Sequence, residues 1–171
     1  MLYLLDANVL ITAHNLYYPV NAVPEFWEWL VFHGEEGRLK MPIETYEEVK
    51  DGSTDEERDL LFGWISDDRN KAALIFDEEV NQELVACVVE QGYAPDLTDQ
   101  EIEQLGRDPF LIAYALTKPG ERCVVTTEVS SPRKQRQNRR IPDVYNTLGV
   151  TCSDTFGMSR TLGFTTSWRR P

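Results

Sequence analysis

Four acidic residues stand where the hydropathy of the chain changes. Asp6 closes the apolar run Leu2-Tyr3-Leu4-Leu5, and Glu48 lies in a polar segment shortly after Leu39-Lys40-Met41. Asp108 opens the apolar stretch Phe110 to Leu116, and Glu128 follows the β-branched run that ends at Thr126. If those runs are parallel strands, their carboxyl ends and the helix starts after them share one edge of a sheet, where ligands gather. Four carboxylates meeting there repel one another strongly unless a cation neutralises them. Oxygen donors without imidazole or thiolate partners select hard ions such as Mg²⁺ or Mn²⁺. Paired ions of this kind activate water against a phosphodiester.

Each acid also has a purely structural reading. Asp6 can cap the following turn, and Asp108, placed before Pro109, suits a helix N-cap. Glu48 lies close to Glu44 and Glu47, which reads as a solvated helix face, and Glu128 can be a loop residue. Asn8 and Thr126 flank the acids and can orient ligands or water, though turn and strand duties account for them too. Asp143 follows Pro142 and has the position of a helix-start residue. Arg133, Lys134, Arg136, Arg139 and Arg140 form a basic run that is either a solvated loop or a landing place for phosphates. His14 and His33 lack metal-ligand spacing, and no glycine loop of the phosphate-cradling kind is present.

The elements that must position these residues follow from periodicity and punctuation. Leu2 to Leu5 predicts a short buried strand, then a helix from Val9 ending before Pro19. Pro24 starts a second helix with Phe26, Trp27, Leu30 and Val31 on one side, stopped by Gly34 and Gly37. Leu39 to Met41 predicts a strand, and Pro42 opens a helix broken at Asp51-Gly52-Ser53. Thr54 to Ile65 reads as a helix, and Ala73 to Phe76 as a short strand. Glu78 to Gln91 reads as an amphipathic helix with Gly92 beyond its end. Thr98 and Glu101 have capping-box spacing for a helix to Leu105, and Asp108-Pro109 begins the next. Arg122 to Thr126 and Val150 to Cys152 are the last strands, separated by the basic loop and a helix from Ile141 to Gly149. Alternating strands and helices predict a three-layer α/β/α sandwich with a mainly parallel sheet of four to five strands. The tail from Ser153, rich in Ser, Thr and Gly, is expected to pack loosely.

The 171 residues are expected to form one domain, with 42% hydrophobic residues and a net charge of -12. So acidic a chain repels polyanions at long range. The uncharged stretch Ala7 to Pro24 is too polar to span a bilayer, and no basic segment precedes it as in a secretory signal. Cys87, Cys123 and Cys152 read as small hydrophobes in a reducing cytoplasm. Trp27, Trp29 and Trp64 read as core or dimer-seam residues.

Tyr3-Leu4-Leu5-Asp6-Ala7-Asn8-Val9-Leu10-Ile11 resembles the opening motif of PIN-domain nucleases. The segment Pro42 to Val49, with Glu48, is similar to the one that brings their second acid. Arg107-Asp108-Pro109-Phe110-Leu111-Ile112-Ala113-Tyr114-Ala115 resembles the third motif. Val124-Val125-Thr126-Thr127-Glu128 resembles the fourth, with Glu where Asp is usual, and Ile141-Pro142-Asp143-Val144 after a basic loop resembles a PIN subgroup. The resemblance implies a Mg²⁺- or Mn²⁺-dependent endoribonuclease acting on single-stranded RNA. It further implies the toxin of a toxin–antitoxin pair of the VapC type, a homodimer whose acidic pocket a separate antitoxin covers. Asp6, Glu48 and Asp108 would hold the cation, with Glu128 assisting directly or through water, and the basic run would guide the RNA backbone. Two other readings stand beside it: a PIN-like partner-binding protein without catalysis, and a phosphatase with Asp6 as nucleophile.

Overall fold

The fold was analysed in a computed structural model, in which residues 1–51 and 59–169 are described. Four short strands, β1 (Leu2–Leu5), β2 (Leu39–Lys40), β3 (Arg122–Val125) and β4 (Thr151–Ser153), form one sheet in the order β2-β1-β3-β4. All pairings are parallel, with Tyr3 opposite Leu39, Leu5 opposite Val125 and Val125 opposite Ser153. The short apolar strands suit this arrangement because both faces are covered by helices. Tyr3, Leu5, Leu39, Cys123 and Val125 face one core. Leu4 and Val124 face the other, which gives the three-layer α/β/α sandwich.

The first layer comprises α1 (Ala7–Thr12), α2 (Pro24–Glu35), α3 (Ile43–Asp51), α4 (Leu60–Ser66), α5 (Asp68–Leu74) and α10 (Thr155–Thr161). Phe26, Trp27, Trp29 and Leu30 of α2 fill its centre, so Trp27 and Trp29 are core residues, and Trp64 packs partly buried against Trp27. The second layer packs α8 (Asp108–Leu116) and α9 (Ile141–Leu148) against the sheet, joined by α6 (Gln82–Cys87) and α7 (Asp99–Leu105). The buried guanidinium of Arg122 is matched by both Glu78 carboxylate oxygens at 2.7 and 2.8 Å, and it donates to Tyr114 O at 2.7 Å. Among the described residues no helix is long and apolar enough to cross a membrane.

Several elements differ from the sequence expectation for identifiable reasons. Ala73 and Leu74 end a helix, not a strand, because the Asp67 side chain caps α5 by accepting from the N–H groups of Arg69 and Asn70. Strand pairing in that segment is confined to a single bridge, Met41 to Ile75. The helix expected from Glu78 starts at Gln82, where Asn81 accepts from Glu83 and Leu84 N–H, and it widens into a π turn over Val88–Tyr93. Gly92 lies inside that turn, because a Cβ there would stand 2.7 Å from Val144 Cγ1. The first helix begins at Ala7 and also ends in a π turn, Ala13–Tyr17. Gly34 lies within α2, and the turn comes at Gly37 with φ +67°. The expected break at Gly52-Ser53 and the helix start at Thr54 lie outside the described residues; α4 begins behind the Asp59 cap.

The tail is not loosely packed. Met158 is fully buried, Phe164 meets Phe26 edge-on at 5.3 Å, and Trp168 Nε1 donates to Glu25 O at 3.0 Å. A few large apolar side chains anchor a segment whose composition is otherwise polar.

Candidate functional site

The chain leaves β1 for β2 on one side and later crosses to β3 on the other, so the strand order reverses between β1 and β3. The crevice beyond the carboxyl ends at such a reversal is where open α/β sheets bind ligands. Asp6 sits at the end of β1, and its backbone N–H donates to Val125 O at 2.9 Å, continuing the ladder. Its side chain is 2% exposed. Oδ1 accepts from the Asn8 N–H at 3.4 Å, capping α1, and Oδ2 accepts from the Thr126 hydroxyl at 2.7 Å. Thus the capping reading of Asp6 holds, but it occupies one oxygen only.

Thr126 links two of the acids, because its hydroxyl also accepts from the Glu128 N–H at 3.1 Å. Glu128 is held at both oxygens, by Arg140 at 2.6 Å and by the Ile141 N–H at 2.8 Å. Asp108 is the first residue of α8, and the cap position belongs to Arg107, without a side-chain capping bond. Glu48 is half-buried on α3, whereas Glu47 is exposed. Neither the Glu48 nor the Asp108 carboxylate has a hydrogen-bond or ion-pair partner among the described residues.

The electrostatics tie these four segments together. Burial holds the Asp108 carboxyl well above the usual carboxylate range, and Asp6, Glu128 and Glu48 push it further, while Arg140 opposes them. Burial also raises Asp6, with Glu128 adding to the rise and Thr126 and Asn8 resisting it. Glu48 is raised by burial and then by Asp6, with Arg107 as its counterweight. Asp6, Glu48, Asp108 and Glu128 therefore share one neighbourhood of poorly compensated negative charge. Among the described residues, however, no three His, Cys, Asp or Glu side chains stand close enough to hold an ion as they are.

The other predicted residues divide. Asn8 is exposed beside Asp6. Asp143 is turned away from the acids: it accepts from Ser130 Oγ at 2.5 Å and Ser131 N–H at 2.7 Å. Burial works against its ionisation, but these bonds and Arg139 outweigh it and hold its carboxyl below the ordinary range. Arg136 clamps the basic loop to Asp96 and Glu101, and Arg139 is bonded to Gly92 O, Asp143 O and Thr147 Oγ1. Only Arg133 and Lys134 of the run are exposed, and Arg140 lies at the acidic edge itself.

Three neighbours of the site carried no role in the sequence reading. Arg107 donates to Glu44 O at 3.0 Å and Asp51 Oδ2 at 2.8 Å, which sets its charge beside Glu48. Tyr93 and Tyr145 are buried with hydroxyls that have no hydrogen-bond partner among the described residues. Both phenols are raised, first by burial and then by neighbours that include Asp6 and Asp108. The available signal was a tyrosine where Ile141 and Val144 predict a wholly apolar helix face.

No match was found among curated proteins or among solved structures. Residues 3–166 match the model of a family described as a domain of unknown function, DUF4411, and the chain belongs to that family.

Proposed function

We propose that the protein is a divalent-metal-dependent endoribonuclease of the PIN type, acting on single-stranded RNA in the cytoplasm. One observation carries this reading. Acids from four distant segments gather at the strand-order reversal, and two of them, Glu48 and Asp108, lack bonded partners among the described residues although like charges surround them. A divalent cation relieves that arrangement better than a proton or water does. The fit lies in charge and donor chemistry, not in a preformed ligand cage. Asp6, Glu48 and Asp108 are the residues that would hold Mg²⁺ or Mn²⁺, and Glu128, committed to Arg140 and Ile141, would act in support. Such an ion supplies Lewis-acid activation of water and neutralises charge on the scissile phosphate.

The chain's own groups provide the remainder. Thr126 fixes Asp6, Arg140 sets a positive charge beside the acids, and Arg133 and Lys134 meet backbone phosphates. By the resemblance of its motifs, the protein is the toxin of a toxin–antitoxin pair, a homodimer whose acidic edge the antitoxin covers.

A second reading, a partner-binding protein without catalysis, is favoured by the engagement of both Glu128 oxygens and the lack of a ready ligand group. A phosphatase with Asp6 as nucleophile is disfavoured by the burial of that carboxylate. The deciding experiment is cleavage of a mixed single-stranded RNA pool with Mg²⁺ or Mn²⁺, with chelator, and with Asp6→Asn or Asp108→Asn. Cleavage should need the ion and fall by about 100-fold or more in either variant. Equal cleavage in every arm, or none in any, would end the nuclease reading.

A further inference from the structure

Beside the acidic edge lies an open cavity of about 690 Å³, walled by the loop after β3, the end of β4, α9, the start of α10, and the ends of α1 and of the π turn that follows it. It shares Thr126 and Glu128 with the acid neighbourhood, and Thr126 is bonded to Asp6. Two aromatic rings stand at its rim, Tyr17 at 46% and Phe156 at 39% exposure, meeting edge-on with centroids 5.1 Å apart. Large exposed aromatics next to a cavity are not accounted for by the core, which closes without them. Asn146 and Ser153 add further donors and acceptors.

The charge of the wall narrows the ligand. No Lys or Arg is among the described lining residues, whereas Glu128 and Asp154 are, so a phosphate meets no cation in the wall and is repelled by two carboxylates. A flat, uncharged ring with polar edges fits both features, since every base offers a π face and edge groups for hydroxyls and amides. We infer that this cavity is a subsite for one unpaired nucleobase, held by Phe156 and Tyr17 with its face on one ring and its edge against the other, in the nucleotide next to the phosphodiester presented to Asp6. The identity of the ligand rests on the nuclease reading; the existence of a stacking subsite is tested separately from it.

The experiment titrates the full-length protein, in chelator, into a short single-stranded RNA carrying one 2-aminopurine. Stacking quenches that base, so wild type and Tyr17→Phe should bind and quench. Phe156→Ala and Tyr17→Ala should lose the quench and bind on the order of 10-fold more weakly. Both side chains are substantially exposed, and unchanged thermal melting will show that the variants fold. Quenching that depends on both rings, without metal-dependent cleavage, upholds the subsite and sinks the nuclease. Metal-dependent cleavage lost in Asp6→Asn, with KM and quenching unchanged in the alanine variants, overturns the subsite and leaves the nuclease standing. Absence of binding by wild type overturns the subsite. So does conversion of a dimer to a monomer by the alanine variants with RNA binding unchanged, which would make this face a seam between two copies.

Discussion

Asp108 bears a charge that the fold opposes from several sides, and this has a measurable sign. Burial and its acidic neighbours raise its folded pKa above the unfolded value near 3.8. The folded state then holds its proton at pH values where the unfolded chain has released it. Without metal, stability should fall as pH rises from the ordinary carboxylate range through the raised one. Asp6 and Glu48 are shifted in the same direction and add to the slope. Asp108→Asn should therefore flatten the profile and raise neutral-pH stability; a gain of about 1 kcal/mol appears as about 2–4 °C in a chain of this size. Melting scans in chelator across acid to neutral pH check this, and a variant that melts lower with an unchanged slope would refute it. Mn²⁺ should raise the melting temperature of wild type but hardly that of the variant. Thr126 makes a second case. Thr126→Val keeps the shape but leaves Asp6 Oδ2 and the Glu128 N–H each short of a partner, at a cost of about 1–3 kcal/mol in urea unfolding. Thr126→Ser should restore most of that loss.

At the level of elements, close approach explains what periodicity could not. Gly34 reads in sequence as a helix stop, yet α2 runs through it to Glu35. A Cβ at Gly34 would stand 2.7 Å from Ala73 O, a backbone atom of α5 that cannot swing aside. Gly34→Ala should thus destabilise by about 1–3 kcal/mol by forcing α2 and α5 apart, measured by chemical denaturation. Gly63→Ala, on α4 with open space around it, serves as the control and should be near neutral or stabilising. The same contrast separates the legible from the illegible parts of the fold. The strand Leu2–Leu5, the capping box at Thr98 and the helix from Asp108 were readable because local chemistry alone dictates them. The helix at Asp68–Leu74 was missed because a polar cap outweighs a short apolar run. The packed tail was missed because composition averages away single anchors such as Met158 and Trp168. At the site, Asp6, Glu48, Asp108 and Glu128 do share one neighbourhood. That Glu128 is tied to Arg140 and Asp143 to the serine loop depends on contacts between segments that no local pattern encodes.

For the molecule as a whole, a net charge of -12 must be reconciled with the RNA substrate we propose. The basic run does less than its composition promises, since Arg136 and Arg139 are spent on bonds within the chain and Arg140 on Glu128. Arg169 is paired with Glu28 at 3.0 Å. That leaves Arg133 and Lys134 as the exposed members of the run without side-chain partners among the described residues. Each neutralised phosphate of a single strand contributes a slope of about -0.7 to the logarithm of the binding constant against that of salt. Two such contacts predict a slope of about -1 to -2, far shallower than for a basic nucleic-acid binder. Anisotropy titrations of labelled RNA with Asp6→Asn protein over increasing KCl measure it directly. Arg133→Ala with Lys134→Ala should bring the slope close to zero while leaving any stacking contribution in place. A slope several times steeper would mean that cations outside this set meet the RNA, either exposed residues elsewhere on the chain such as Arg38, Lys118 and Arg160 or those of a second subunit. A steep slope that survives Arg38→Ala, Lys118→Ala and Arg160→Ala would assign the extra contacts to the second basic loop of the proposed homodimer.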